Sequence, residues 1–285
     1  MSQFLIVGDV DHIQDYVFGS SRLRAIRGAS VLLDQAAEQV KKDLKKNNIK
    51  VLRWLGGQIV ALLQDSTEVQ PDQVCANIER IFRGLSKGEA TITTAYEPCS
   101  GSADFQRAIH TAFGKVQTEK NGRQTFGPEG EALLTSSYDR RCDLLPSQAA
   151  SDRKPLGEDE YRMMSYAAHV RWEAVRKPPV FDRYLKHQLA MAEIRGGYRL
   201  PYQTEDLWER EGEGRYVGLV MADGNAFGQM LEAIDNPDVY KNFSEQLYRL
   251  ILTAVALAAN KAGMKTFFNE RGRWLPHHPN YPCWR

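Results

Sequence analysis

Only four cysteines occur in 285 residues, Cys75, Cys99, Cys142 and Cys283, and no two form a Cys-x-x-Cys pair. That spacing supplies neither a ready zinc cage nor a disulfide framework, and it suits reduced thiols in a cytoplasmic protein. No apolar run approaches the ~20 residues that a membrane span requires. No basic segment leads an apolar one in the opening MSQFLIVGDVD, so no signal peptide is expected. A dominant charge is missing as well: 37 Lys and Arg stand against 36 Asp and Glu, a net of +1. Binding to RNA or DNA would therefore rest on local patches, such as Arg22, Arg24 and Arg27, or Arg140 with Arg141. What is present is globular composition, 42% hydrophobic and 26% charged, over a length sufficient for two domains.

Hydrophobic periodicity orders the first hundred residues. A buried strand over 4–7 ends at Gly8-Asp9, and a brief helix over 12–18 follows. Ser20-Ser21 is a candidate cap for a helix over 22–46, interrupted by Gly28 and stopped at Asn47-Asn48. Strands over 50–54 and 59–63 flank Gly56-Gly57, a tight-hairpin signal because such turns need positive φ. Pro71 opens a helix to about 85, and the Thr-rich stretch 89–96 reads as a strand. The resulting βαββαβ order is the ferredoxin-like split βαβ arrangement, which polymerase palms share. By itself that order does not assign an activity.

Beyond residue 98 the pattern becomes irregular. Helices are predicted over 103–116 and 160–177, separated by the most loop-like part of the chain. A charged linker over 204–215 precedes a second buried strand over 216–222, the turn Asp223-Gly224-Asn225-Ala226-Phe227-Gly228, and a long helix over 243–262. This repeats the opening of the chain after about 210 residues. The fold class expected is α+β: a first palm over 1–98, a mostly helical insert over 99–212, and the start of a second palm over 213–285.

The turn after 222 carries the sharpest local chemistry. A carboxylate at the end of a buried strand can hold a hard cation with help from backbone carbonyls, nucleotide phosphates completing the shell. Asp223 is placed for that role, and Gly224 and Gly228 allow close approach of backbone to phosphate. The competing reading is a plain strand-to-helix turn capped by Asp223.

Two motifs carry a family resemblance. IQDYVF over 13–18 followed by SRLRAIRGAS over 21–30 resembles the first palm of the large subunit of type III CRISPR effector complexes. YVGLVMADGNAFGQML over 216–231 resembles the opening of that family's second palm. The resemblance implies a GGDEF-like nucleotidyltransferase that joins ATP into cyclic oligoadenylates with Mg²⁺ or Mn²⁺, in antiviral defence. Its implied partners are other effector subunits, guide RNA and target RNA. Asp223 falls on the family's first metal-binding carboxylate, and Asn225 stands where many members have a second Asp. Gly224, Phe227 and Gly228 fall beside the nucleotide. In the first palm Gly56, Gly57 and Gln58 occupy the hairpin that is acidic in catalytic palms, so this palm is expected to be a non-catalytic nucleotide-binding or structural support. Arg24, Arg27 and Ser30 either face phosphates or lie on an ordinary exposed helix face.

The resemblance also marks departures. The first palm begins within a few residues of Met1, so the nuclease domain many members carry ahead of it is not expected here. Cys142 looks like half of a decayed zinc pair, with Leu145 at the second cysteine's position; Cys99, Cys142 and His110 offer a weaker alternative metal set. The tail over 276–285 fits neither helix nor strand. Shifted by one base, its codons permit an apolar run arriving at glycine, so the tail is either the product of a frameshift before the second hairpin or a native Pro/His-rich tail, and the coding DNA would settle it. Whether this chain is itself an enzyme is left open. Two other readings also remain: a stand-alone cyclase of diguanylate-cyclase type, and a non-catalytic nucleotide- or RNA-complex-binding module.

Overall fold

The structure is a computed structural model that describes residues 3–64, 69–124, 141–145, 148–155, 161–175 and 227–261. Four strands, β1 (Gln3–Val10), β2 (Lys50–Leu55), β3 (Gln58–Leu63) and β4 (Ile92–Cys99), form an antiparallel sheet in the order β2-β3-β1-β4. β1 is central: Asp9 lies opposite Gln58 on one side, and Val10 opposite Ile92 on the other. Helices α1 (Ile13–Phe18) and α2 (Leu23–Lys46) lead from β1 to β2, and α3 (Pro71–Ser86) leads from β3 to β4. The mixed α+β class and the order of these elements agree with the periodicity. Gly56 and Gly57 have φ of 61° and 82°, the left-handed conformations that a two-residue hairpin imposes and glycine tolerates.

Alternation along the strands sends apolar side chains to both faces. On one face Ile6, Val10, Ile59, Ala61 and Ile92 pack against Ala36, Val40 and Leu44 of α2 and Val74, Ile78 and Phe82 of α3. On the other, Leu5, Val7, Val60 and Leu62 meet Phe105, Ala108, Ala112 and Val116 of α4 (Ser102–Gln124). That second face is completed by Leu231 of α6 (Phe227–Glu232) and Tyr240 of α7 (Pro237–Lys261). Burial on both sides explains why Leu5, Ile6 and Val7 are all fully inaccessible in consecutive positions.

Between these layers the structure departs from expectation twice. The helix predicted to end at 116 runs to Gln124. The helix predicted over 160–177 is divided: β6 (Tyr161–Met164) pairs antiparallel with β5 (Asp152–Pro155), and only α5 (Tyr166–Ala174) is helical among the described residues. The break has a local cause. The Met163 N–H donates to Asp143 Oδ2 at 2.8 Å, and the Asp143 N–H donates to the Met163 carbonyl at 2.8 Å. Ser165 then caps α5 by accepting the Ala168 N–H at 3.1 Å. The cap expected at Ser20-Ser21 is not formed: Arg22 is the N-cap of α2 with no side-chain cap, and the Ser20 hydroxyl accepts from the Arg22 N–H at 3.2 Å, one residue ahead of the helix.

Candidate functional site

The C-terminal end of β1 gathers two carboxylates. Asp9 is the penultimate residue of the strand, beside the Gly56-Gly57 hairpin, whose Gly57 carbonyl accepts the Val10 N–H at 3.0 Å. Asp11 follows, held by Thr91 Oγ1 at 2.7 Å and Thr93 Oγ1 at 2.8 Å, each hydroxyl donating to a different carboxylate oxygen. Lys120 reaches this point from the last turns of α4. Its ammonium lies 2.7 Å from Asp9 Oδ2 and 3.1 Å from Asp11 Oδ1, and donates to the Val10 carbonyl at 3.1 Å. The three side chains are only 20%, 11% and 14% exposed, so solvent screens the cluster weakly.

A second cluster explains the IQDYVF and SRLRAIRGAS segments. Arg171 of α5 is 3% exposed. Its Nε pairs with Glu89 Oε2 at 2.7 Å, its Nη1 donates to the Tyr16 carbonyl at 2.8 Å, and its guanidinium lies 4.1 Å from the centre of the Tyr16 ring. Gln148 donates to the other Glu89 oxygen. Burial raises the Tyr16 hydroxyl's pKa above the ordinary tyrosine range, against the opposing pull of Arg171. One residue on, Trp172 presents its ring 4.0 Å from the Arg24 guanidinium, whose Nε donates to the Trp172 carbonyl at 3.3 Å. Gly28 completes the fit, since a Cβ there would lie 1.9 Å from the Arg171 carbonyl oxygen. The motif residues Tyr16, Arg24 and Gly28 therefore converge on α5. Of the other candidates, Ser30 donates to the Ile26 carbonyl at 3.4 Å and Arg27 is half-buried on the same helix.

Asp223, Gly224 and Asn225 lie outside the described residues, while Phe227 and Gly228 open α6. Gly228 is exposed, and a Cβ there would meet no atom within 4 Å. The α6–α7 pair is fastened to the sheet at its rim. Arg53 of β2 donates to the Tyr240 hydroxyl at 3.0 Å and also holds Gln58, the residue following the Gly-Gly turn. Gln106 of α4 donates to the Leu231 carbonyl at 2.8 Å, and Lys50 pairs with Asp238. Among the described residues α6 runs from Phe227 and α7 from Pro237, each 214 residues after the starts of α1 and α2 at Ile13 and Leu23. In the sequence the same offset relates Asp223 to Asp9 and Asn225 to Asp11.

Sequence reasoning missed Asp9, Asp11 and Lys120 as a group. The repetition in the sequence of an apolar run ending in Asp was a signal for the carboxylates. Lys120 carried none, because it lies 111 residues from Asp9 and beyond the predicted end of its helix. The weaker thiol set is not assembled: Cys99 packs in the second sheet-face core and Cys142 in a separate cluster with Leu144, Leu145 and Met164. Among the described residues no three His, Cys, Asp or Glu side chains converge to hold a metal, and no helix is long and apolar enough to cross a membrane.

These features define an α+β protein with a four-stranded antiparallel sheet covered by helices on both faces and an acidic strand end occupied by a lysine. Solved structures similar to it include a Csm1–Csm4 cassette in complex with cA4, at 21% identity and a TM-score of 0.35, over 41% of this chain and 18% of that chain. The apo Csm1–Csm4 cassette matches at 17% identity and a TM-score of 0.34, over 57% of this chain and 25% of that one. The Csm1–Csm4 subcomplex of the type III-A CRISPR-Csm interference complex matches at 20% identity and a TM-score of 0.32, over 42% and 19%. The matched part thus spans a quarter or less of the length of these chains. No protein-family model matches the chain, and no curated protein matches it.

Proposed function

We propose that this chain is a two-palm protein of the type III CRISPR large-subunit kind, in which the first palm is a non-catalytic support and the second binds nucleotide. The observation that carries this reading is the recurrence of a short helix and a long helix at a constant offset of 214 residues, α1–α2 and α6–α7, with the resembling motifs at corresponding places. On this reading the first palm is the ferredoxin-like unit over 1–98, followed by the insert over 99–212 with a zinc-ribbon remnant at Cys142, and the second palm begins near 213. Asp223 supplies an anionic oxygen and Asn225 a neutral carbonyl oxygen to Mg²⁺ or Mn²⁺, a donor set of the hard-oxygen type such ions prefer. Gly224, Phe227 and Gly228 lie against the phosphates of ATP, and effector subunits with their RNA are the partners.

Two-metal phosphoryl transfer draws carboxylates from more than one strand. The 285 residues contain no Gly-Gly-Asp-Asp run, so the chain by itself is expected to bind ATP without converting it to cyclic oligoadenylate. Equilibrium binding of a fluorescent ATP analogue tests the first half: affinity should require Mg²⁺ or Mn²⁺ and fall about tenfold or more in Asp223→Ala, the loss expected for one charged ligand oxygen. Metal-independent binding untouched by Asp223→Ala would sink the assignment. Chromatography of products after incubation with ATP and Mg²⁺ tests the second half, and any cyclic oligoadenylate would overturn it.

A further inference from the structure

Asp9 and Asp11 occupy, in the first half of the chain, the positions that Asp223 and Asn225 occupy 214 residues later. They hold two carboxylates where the second half offers one, so by charge alone the first turn is the stronger cation site. Its surroundings already contain a cation. The Lys120 ammonium has three oxygens around it, Asp9 Oδ2 at 2.7 Å, Asp11 Oδ1 at 3.1 Å and the Val10 carbonyl at 3.1 Å. One side chain thus contacts both carboxylates and the backbone between them, and it is only 14% exposed.

We propose that Lys120 is a tethered counter-cation that takes the place of a divalent metal at the end of β1 and closes this strand end to Mg²⁺ and Mn²⁺. Three features support it. Two carboxylates and a carbonyl form an all-oxygen donor set of the kind hard cations take. An ammonium fixed to α4 stands between the two carboxylates, and polar donors add to the shell of Asp11. Thr91 and Thr93 both donate to Asp11, at 2.7 and 2.8 Å. A free metal entering here would have to displace the lysine into the apolar neighbourhood of α4 or expel it to solvent, against its three oxygen contacts. The first turn is metal-free by construction, and its acidity serves to fasten α4 across the second face of the sheet. This inference stands on the local geometry and does not depend on the nucleotide-binding reading of residues 223–228.

The test uses the full chain with Asp223→Ala introduced throughout, so that the second turn cannot contribute, and Mn²⁺ alone as the probe. Bound metal is counted from the loss of the free-ion electron paramagnetic resonance signal. The Asp223→Ala chain is expected to show no site sensitive to Asp9→Asn. Adding Lys120→Met should create about one Mn²⁺ site per chain, at least tenfold tighter than any residual binding, and adding Asp9→Asn to that variant should abolish it. Lys120→Arg, which keeps the charge, should stay metal-free. The proposal is overturned if Lys120→Met gains no Asp9-dependent site while keeping its circular dichroism, or if the lysine-containing chain already binds Mn²⁺ through Asp9. Should Lys120→Met fail to fold, Lys120→Met with Asp9→Asn is expected to fold again, because one of the two mutually repelling carboxylates is gone. Failure of that pair would make Lys120 a packing residue and overturn the proposal too.

Discussion

The two faces of the sheet are covered in different ways. On the first, α2 and α3 are the connections between neighbouring strands: Val40, Leu44, Ile78 and Phe82 lie on Ile6, Ile59 and Ile92, with Trp54 stacked near Phe82 at 6.1 Å between ring centres, and Glu79 and Asp72 of α3 accept hydrogen bonds from Thr94 and Tyr96 of β4. On the second, α4 and the α6–α7 pair arrive from later in the chain. Their apolar centre, Phe105 edge-on to Tyr240 at 5.4 Å, is ringed by polar fastenings from Arg53, Gln106 and Lys50. An apolar centre with a polar rim is the anatomy of an interface between separately organised units. What sets the second face apart is that its covering helices come from later in the chain and do not connect its strands, so it resembles a docking surface within one chain.

Mutations can break this comparison. Phe82→Ala empties a side chain that is 1% exposed and should cost about 3–5 kcal/mol in urea unfolding, with every probe moving together. Phe105→Ala, in a fully buried position, should instead release α7 first. Hydrogen exchange would then rise in residues 237–261 while β1 and β3 stay protected. Simultaneous loss of protection across both regions would show that the faces form one cooperative core. A smaller effect concerns Asp34 on α2, whose carboxyl is pushed up to about 6 by burial and then by the neighbouring Glu38 charge. Between about pH 4 and pH 6 the folded chain keeps a proton that the unfolded chain has lost, so stability falls as pH rises through that window. Asp34→Asn should remove that part of the slope, adding on the order of 1 kcal/mol at pH 7 and almost nothing at pH 4; equal gains at both would refute the assignment. The smallest change is Tyr240→Phe, which removes the Arg53 hydrogen bond while keeping the ring. About 1 kcal/mol, confined to α7 protection, is expected.

Legibility followed the range of the interactions involved. The helix expected over 22–46 is α2, one residue shorter at its start, because its apolar spacing and its Lys-rich, Asn-terminated end are local features. The hairpin at Gly56-Gly57 was legible for the same reason. The stretch 160–177 was misread because 161–164 has the residues of a helix, and its strand state depends on Asp143 and β5, which periodicity cannot see. Arg24 looked like a phosphate-facing or solvent-facing charge; its partner Trp172 is 148 residues away. Gly28 looked like an interruption of its helix, and the closeness of the Arg171 carbonyl gives it a purpose.

By itself, then, the amino-acid sequence determined the strands and helices of the first hundred residues and the continuous apolar run of the first strand. Those properties arise from backbone geometry acting over a few residues. The tertiary structure alone decided that both sheet faces are covered, that Arg171 anchors α5 on Tyr16 and Glu89, and that Lys120 sits between Asp9 and Asp11. These pairings join residues 155, 82 and 111 positions apart. Which charge meets which at such separations is set by the packing of whole elements, and no local period records it.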